Sequence, residues 1–265
     1  MLDCPVSVII PCFRSASTIE ASLDSILSQS MLPSEVLLID DASDDDTPEL
    51  IKKYQAKHPQ LIRVVILTEN IGPGGARNIG WDLARQPWIA FLDADDLWHP
   101  KKLELQFTWL TRHHNVDMCG HNSSIFCGEY ISPINSLNFG SHQVSLNAIL
   151  IKNAFPTRSV MLRSSLPFRF GAKDVAEDYL LWAEILGSRF VGYKLNCCLA
   201  YSLREEFSAG GYSGQLWAHE KRELNSLITL FRKKYISLPF VTLAMTWSFI
   251  KFLRRTLIAR LFHDK

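Results

Sequence analysis

Asp93, Asp95 and Asp96 follow the apolar run Trp88-Ile89-Ala90-Phe91-Leu92, with only Ala94 between the first two. A run of that length is predicted to be a buried strand, so three carboxylates emerge where it ends. Ligand sites in open α/β sheets lie at the carboxyl ends of strands. Asp93 and Asp95 are two residues apart, so one turn can aim both at a hard cation such as Mg2+ or Mn2+. Magnesium keeps few protein ligands and completes its shell with water and substrate phosphates, which makes a metal-bound diphosphate the natural guest. The bland alternative is an exposed acidic turn that caps the next helix. Position after a strand, and the residues described next, favour the metal.

Other candidate groups are spread along the chain. Asp40 and Asp41 close the apolar run Val36–Ile39, where a carboxylate can accept a hydrogen bond from a uracil or guanine ring N–H. A helix cap or plain acidic turn fits that pair equally well. Phe13 ends the first apolar run and is placed to stack on a base, although an aromatic there is usually core. Gly72-Pro73-Gly74-Gly75 resembles a phosphate cradle, but its spacing is not G-x-G-x-x-G and it follows the third strand, not the first. A tight turn at a helix start and a substrate contact are evenly balanced there. Arg77, just inside that helix, can face a diphosphate or simply decorate the surface. Glu177 and Asp178 open a late helix, where the helix dipole stabilises carboxylates. A general base is expected in this half of the chain if a hydroxyl is to be activated.

The elements that must position these groups alternate. Strands are predicted at Val6–Ile10, Val36–Ile39, Arg63–Leu67 and Trp88–Leu92. Between them lie helices capped at Ser15 or Ser17, started at Thr47-Pro48, and fed by the glycine run as far as Arg85; Pro100 opens the next. Alternation of this kind implies a mainly parallel, doubly wound sheet with helices on both faces. Beyond Val116 the rhythm weakens. Strands are expected within 117–126, 159–162 and 190–201, and an amphipathic helix from Glu177 through Leu181, Trp182, Ile185 and Leu186. Residues 127–147 read as loop.

With 265 residues, 47% of them hydrophobic, the chain can build one sizeable α/β domain and an appendage. A formal charge of +1 gives no sign of a nucleic-acid partner. The charge is uneven: residues 220–265 carry ten Lys/Arg against three Asp/Glu, a net of +7, which leaves the remainder at −6. The six cysteines show no C-x-x-C spacing and read as buried free thiols in a reducing cytosol. Val6–Ile10 is too short, and lacks the basic flank, for a secretory signal. Near the end, 15 uncharged residues from Ile236 to Ile250 fall short of the ~20 that span a bilayer. Phe249, Ile250, Phe252, Leu253 and Leu257 share one helix side and Lys251, Arg254 and Arg255 the other, as in a helix lying in an anionic membrane surface. Packing on the catalytic domain or on another subunit is nearly as good a reading.

Assembled in order, these pieces resemble family-2 glycosyltransferases of the GT-A fold. The resemblance rests on VSVIIPCF (6–13), SILSQS (25–30), LIDDASD (38–44), NIGPGGARNIG (70–80), FLDADDLWHPKKL (91–103) and AEDYLLW (176–182), and covers roughly Val6 to Tyr201. It implies a GT-A domain over 1–215, with a nucleotide-sugar half at 1–115 and an acceptor half at 116–215, then a helical, membrane-associating segment at 216–265. By position, Pro11, Phe13 and Asp41 would hold the base, and Arg77, Asn78, Asp93 and Ala94 would line the nucleotide-sugar pocket. Asp93 and Asp95 would bind Mn2+ or Mg2+, with Asp95 the more direct ligand, and Asp96 would orient sugar or acceptor. Asp178 would be the catalytic base with Glu177 beside it. The donor implied is a nucleotide sugar, UDP ahead of GDP or dTDP. The acceptor implied is a glycan or polyprenyl-diphosphate saccharide, in bacterial surface polysaccharide synthesis of the O-antigen type. The expected location is cytoplasmic, peripheral at the inner face of the membrane.

Two departures stand out. Arg14 occupies a position where many members have Asn, and Tyr201–Glu206 lacks the Tyr-Arg-x-His ending of some relatives, with Glu205 the nearest substitute for a third metal ligand. Two other functions are weighed. A sugar-phosphate nucleotidyltransferase should carry its glycine-rich loop after the first strand, where Pro11-Cys12-Phe13-Arg14 stands. A catalytically silent binding module on a membrane complex has no need of carboxylates at every expected position.

Overall fold

The computed structural model describes residues 4–129, 139–203 and 216–263, with side chains as far as 257. The first half alternates as expected: β1 (Cys4–Cys12), α1 (Ile19–Leu27), β2 (Pro33–Asp40), α2 (Thr47–Lys57), β3 (Ile62–Ile66), α3 (Pro73–Leu83) and β4 (Trp88–Phe91). There follow β5 (Asp96–Trp98), α4 (Lys102–Thr111), β6 (Met118–Ile125), β7 (Ser141–Val144), α5 (Leu146–Ile151) and β8 (Met161–Arg163). The chain continues through α6 (Glu177–Gly187), β9 (Gly192–Ser202), α7 (Leu216–Arg232) and α8 (Leu238–His263).

Among the described residues the strands form one sheet in the order β3-β2-β1-β4-β8-β6-β9-β5, with β7 beside β9. β1 pairs in parallel with both β2 and β4, and β2 with β3. β1, β2 and β4 are buried almost throughout, which explains their nearly continuous apolar runs, whereas edge strand β3 is only partly buried. Ile9, Leu37, Ile39, Ile89 and Phe91 face a core shared with α3 and α6, while Val8, Ile10, Val36, Leu38 and Ala90 face one shared with α1 and α4. The alternation along each strand is the period-two pleat.

Beyond β4 the sheet is no longer mainly parallel. β8 runs antiparallel to β4 and β6, and β9 antiparallel to β5 and β7, although β6 and β9 are parallel. Short β5, β7 and α5 fall where a loop or no element was expected. Their three to six residues give too little periodicity to register. The helix from Glu177 is not amphipathic: every side chain from Tyr179 to Leu186 is buried. Helix α1 has Thr18 at its N-cap without a side-chain cap bond, so neither Ser15 nor Ser17 caps it. Of the six free thiols Cys127 is exposed and Cys198 half-buried, against the expectation of burial.

The C-terminal helices are not an appendage. Leu227, Leu230, Ile236, Val241 and Ala244 join the core that holds Phe91 and Trp182. Lys251 donates to Glu223 at 2.6 Å, and Arg255 meets Glu220 at 3.3 Å. Two of the three cations expected on a free basic face therefore point inward to acids of α7. No helix among the described residues is long and apolar enough to cross a membrane.

Helix α3 lies close enough to β1 and β2 that a Cβ at Gly80 would meet Ile9 Cγ2 at 2.5 Å and Ile39 Cγ1 at 3.4 Å. Gly80→Ala is expected to overpack this contact by about 1–3 kcal/mol. The better helix propensity of alanine returns at most about 1 kcal/mol. A lowered urea midpoint at unchanged m-value is the expected result. A midpoint equal to or above wild type would mean that α3 does not lie so close.

Candidate active site

The carboxyl ends of β1, β2 and β4 open into a cavity of about 1040 Å3, whose wall includes Pro11, Phe13, Asp41, Asp93, Ala94, Asp95 and Asp96. Phe13 is 44% exposed at the rim, free on one side to meet a planar ligand. The following Arg14 has φ 47° and pairs with exposed Asp44 at 2.6 Å. Asparagine tolerates that left-handed backbone better than most residues, which gives its frequency in the family a backbone reason.

Asp41 has work inside the protein. Its two oxygens accept hydrogen bonds from the backbone N–H groups of Ile71 and Gly72, both at 2.8 Å. It therefore anchors the turn that starts α3, while still lining the cavity. The glycines of that turn serve close approach. Gly72 has φ +88°, and Cβ atoms at Gly72 and Gly74 would collide with Lys173 and Glu177 respectively. The glycine run lets the segment before α6 pack against the start of α3, which is a structural use and not a dinucleotide-type cradle. Asn78 does not line the cavity. Its amide donates to Phe170 O at 3.0 Å and accepts from Phe170 N at 2.8 Å, so it clamps that backbone.

Arg77 is the hub. It is buried, donates to Asp93 Oδ1 at 2.5 Å, and lies 3.9 Å from Glu177 Oε2. Burial opposes its charge, but the neighbouring carboxylates of Asp93, Glu177 and Asp178 more than compensate and raise its pKa. Arg77, expected in the nucleotide-sugar pocket with surface decoration as the alternative, lines the cavity as a buried cation that joins the turn after β4 to the start of α6. Glu177 pays for this enclosure electrostatically: burial, only partly offset by Arg77, pushes its carboxyl up to about 7.

Asp96, 1% exposed, is gripped through both oxygens by Arg158 Nη1 at 2.8 and 2.7 Å. Burial, only partly countered by Arg158, raises its pKa. Asp178 accepts from Asn153 Nδ2 at 3.2 Å and Thr157 Oγ1 at 3.4 Å, and lines the same cavity as Asp93 and Asp95. The two acidic patches therefore converge on one space. Arg158, Asn153 and Thr157 are contributors that carry no motif in the sequence, because they sit in a half-exposed connection before β8. Further wall comes from His219 and Arg222 of α7 and Lys251 and Arg255 of α8.

Helix α7 also sets the start of α6. The Ala176 N–H donates to Ser226 Oγ at 3.0 Å and to Arg222 O at 3.2 Å, and Asn225 Nδ2 donates to Asp174 O at 2.9 Å. Placement of Glu177 and Asp178 thus depends on a helix lying outside the motifs.

A divalent cation fits the donor set in one way. No group of three or more His, Cys, Asp or Glu among the described residues gathers to hold a metal. Asp93 gives one oxygen to Arg77 and lines the cavity together with Asp95, so these two carboxylates are the residues that would hold such a cation. Few protein ligands with phosphate and water in the remaining positions is how Mg2+ and Mn2+ are commonly held. The alternative third ligand, Glu205, lies outside the described residues.

Comparison with known proteins agrees with this geometry. The family Glycosyl transferase family 2 matches residues 7–171. The chain is 31% identical over 216 residues, 77% of its length and 79% of the relative's, to the UDP-Glc:alpha-D-GlcNAc-diphosphoundecaprenol beta-1,3-glucosyltransferase WfgD of Escherichia coli. It is 29% identical over 198 residues, 74% of its length and 77% of the relative's, to the putative teichuronic acid biosynthesis glycosyltransferase TuaG of Bacillus subtilis. Among solved structures, S. aureus TarS 1-349 in complex with UDP-GlcNAc superposes with a TM-score of 0.70 at 22% identity, over 94% of this chain and 72% of that one. The longer TarS chain is spanned to 41% of its length. The mannosyltransferase PcManGT of Pyrobaculum calidifontis, in complex with GDP-Man and Mn2+, gives 0.65 at 19% identity, over 98% of this chain and 76% of that one. The architecture is the GT-A fold, and the chain belongs to glycosyl transferase family 2.

Proposed function

We propose that this protein transfers a sugar from a nucleotide-diphosphate sugar, UDP-linked first, to a hydroxyl of a saccharide acceptor in bacterial surface polysaccharide synthesis. The observation that carries this reading is the meeting of Asp93, Asp95 and Asp178 on one cavity, bridged from inside by Arg77 and Glu177. Phe13 and the Pro11 backbone support the base. Asp93 and Asp95 would hold Mn2+ or Mg2+, which when bound stabilises charge on a departing diphosphate. WfgD is named for a diphosphoundecaprenol-linked acceptor, which supports a lipid-diphosphate saccharide as acceptor here.

Of the two adjacent acids, Asp178 is the better general base. Glu177 is turned toward Arg77 and Gly74, whereas Asp178 is held toward the cavity by Asn153 and Thr157. In the proposed step Asp178 takes the acceptor O–H proton as that oxygen bonds to the anomeric carbon. The bond from that carbon to the diphosphate breaks on the opposite side, and the electron pair leaves with the nucleoside diphosphate. A single displacement inverts configuration, so an α-linked donor gives a β-linkage, through a transition state of oxocarbenium character.

The exposed side of α8 bears Leu243, Trp247, Ile250, Leu253 and Leu257. With the inner cations committed to α7, this apolar row supports contact with a membrane interface by area more than by charge. Removing the helix would also strip Val241 and Ala244 from the core, so substitutions make the cleaner test.

Asp178→Asn is expected to lower turnover about 10²–10⁴-fold with the donor Kd unchanged; turnover near wild type removes Asp178 from the reaction. EDTA or Asp95→Ala should abolish nucleoside-diphosphate release and Mn2+ should restore the EDTA-treated enzyme, whereas full activity in EDTA refutes the metal role. Leu243→Gln with Leu253→Gln should move the protein from the membrane to the soluble fraction on sedimentation; unchanged partitioning counts against lipid contact through α8.

A further inference from the structure

The cavity carries two groups of charged side chains, and Arg77 and Arg158 accompany the carboxylates at the strand ends. Those carboxylates are Asp41, Asp93, Asp95 and Asp96. The second group is mainly basic, with Lys152, Arg222, Lys251 and Arg255 against Glu223. The basic side chains of α8 are set in place from behind. Glu220 and Glu223, 0% and 8% exposed, hold Arg255 and Lys251, and Arg255 Nη1 lies 3.3 Å from His219 Nδ1. His219 is in turn close enough to Asp178 to feel its charge. A cluster of cations fixed by the acids and the histidine of α7 therefore lines the same cavity as the candidate base.

None of this is needed to bind the donor, whose diphosphate is served by the cation at Asp93 and Asp95 on the proposed reading. Fixed cations in a recess are the usual recognition device for phosphate oxygens. We propose that Arg222, Lys251 and Arg255, with Lys152 at the rim, form an anion subsite that takes the phosphate or diphosphate of the acceptor. The inference rests on the glycosyl-transfer reading and deepens it. The acceptor is recognised by its phosphate as well as its sugar, and the apolar row of α8 continues from the same helix toward the lipid that such a phosphate would carry.

The test is calorimetric titration of full-length protein, first saturated with UDP and Mn2+, with geranyl diphosphate and with inorganic pyrophosphate. Both should bind, and Arg222→Gln and Arg255→Gln should each weaken binding by about tenfold or more, the loss expected for a charge-assisted hydrogen bond. Lys152→Gln, at an exposed rim position, should weaken it less and without any effect on folding. Affinity for UDP should be unchanged in all three. Absence of binding to the UDP-saturated protein, or equal binding by wild type and variants, overturns the subsite. Displacement of geranyl diphosphate by phosphatidylglycerol vesicles, but not by phosphatidylcholine vesicles, assigns these cations to a membrane headgroup and also overturns it. Failure of UDP itself to bind would instead strike at the donor reading, so the two failures are separable.

Discussion

Arg77 is buried between two carboxylates that reach it from distant parts of the chain, Asp93 after β4 and Glu177 at the start of α6. A guanidinium in such a place is held only by its partners, because removing both would leave a charge inside without compensation, at a loss of about 3–5 kcal/mol. The rest of the site follows from this junction. Asp95 and Asp178 are neighbours in sequence of the two carboxylates that Arg77 joins, so both are carried to the same cavity. The glycines of the α3 turn serve the same junction: Gly72 takes φ +88°, and a side chain at Gly74 would displace the Glu177 carboxylate from beside Arg77. Asp41 then ties that turn to the end of β2.

The parallel half of the fold was legible because β1, β2 and β4 are buried on both faces and read as apolar runs, and because α2 and α3 carry start signals in Thr47-Pro48 and Gly72-Pro73. The acidic turn after β4 was legible for the same reason, since a strand end fixes where its next residues emerge. The second half was harder. Its strands are short or antiparallel, and α6 is buried all round, so neither helical nor strand periodicity marks its orientation. Asn78 and Asp41 show the limit of motif reasoning. Both occupy motif positions and both also bind backbone inside the protein, Asn78 at Phe170 and Asp41 at two loop amides, a structural use that no motif announces. Arg158 shows the converse, a residue without motif that neutralises Asp96.

The C-terminal helices change the view of what the catalytic unit is. Sequence composition set them apart as a basic, apolar tail, yet α7 shares the central core and bonds to the residues just before Glu177. Lys251 and Arg255 of that tail are turned toward acids of α7, whereas Lys221, Arg232, Lys233, Lys234 and Arg254 are exposed. Charge counted along a segment cannot distinguish these directions.

The most direct measure of the junction is a double-mutant cycle read by urea unfolding. Arg77→Met is made in wild type and in an Asp93→Asn/Glu177→Gln background. If Arg77 joins the two acidic patches, the substitution should cost about 3–5 kcal/mol in wild type and far less where both carboxylates are already neutral. An equal loss in the two backgrounds would show that Arg77 does not couple them, and the convergence of the acidic patches on one cleft would have no structural basis.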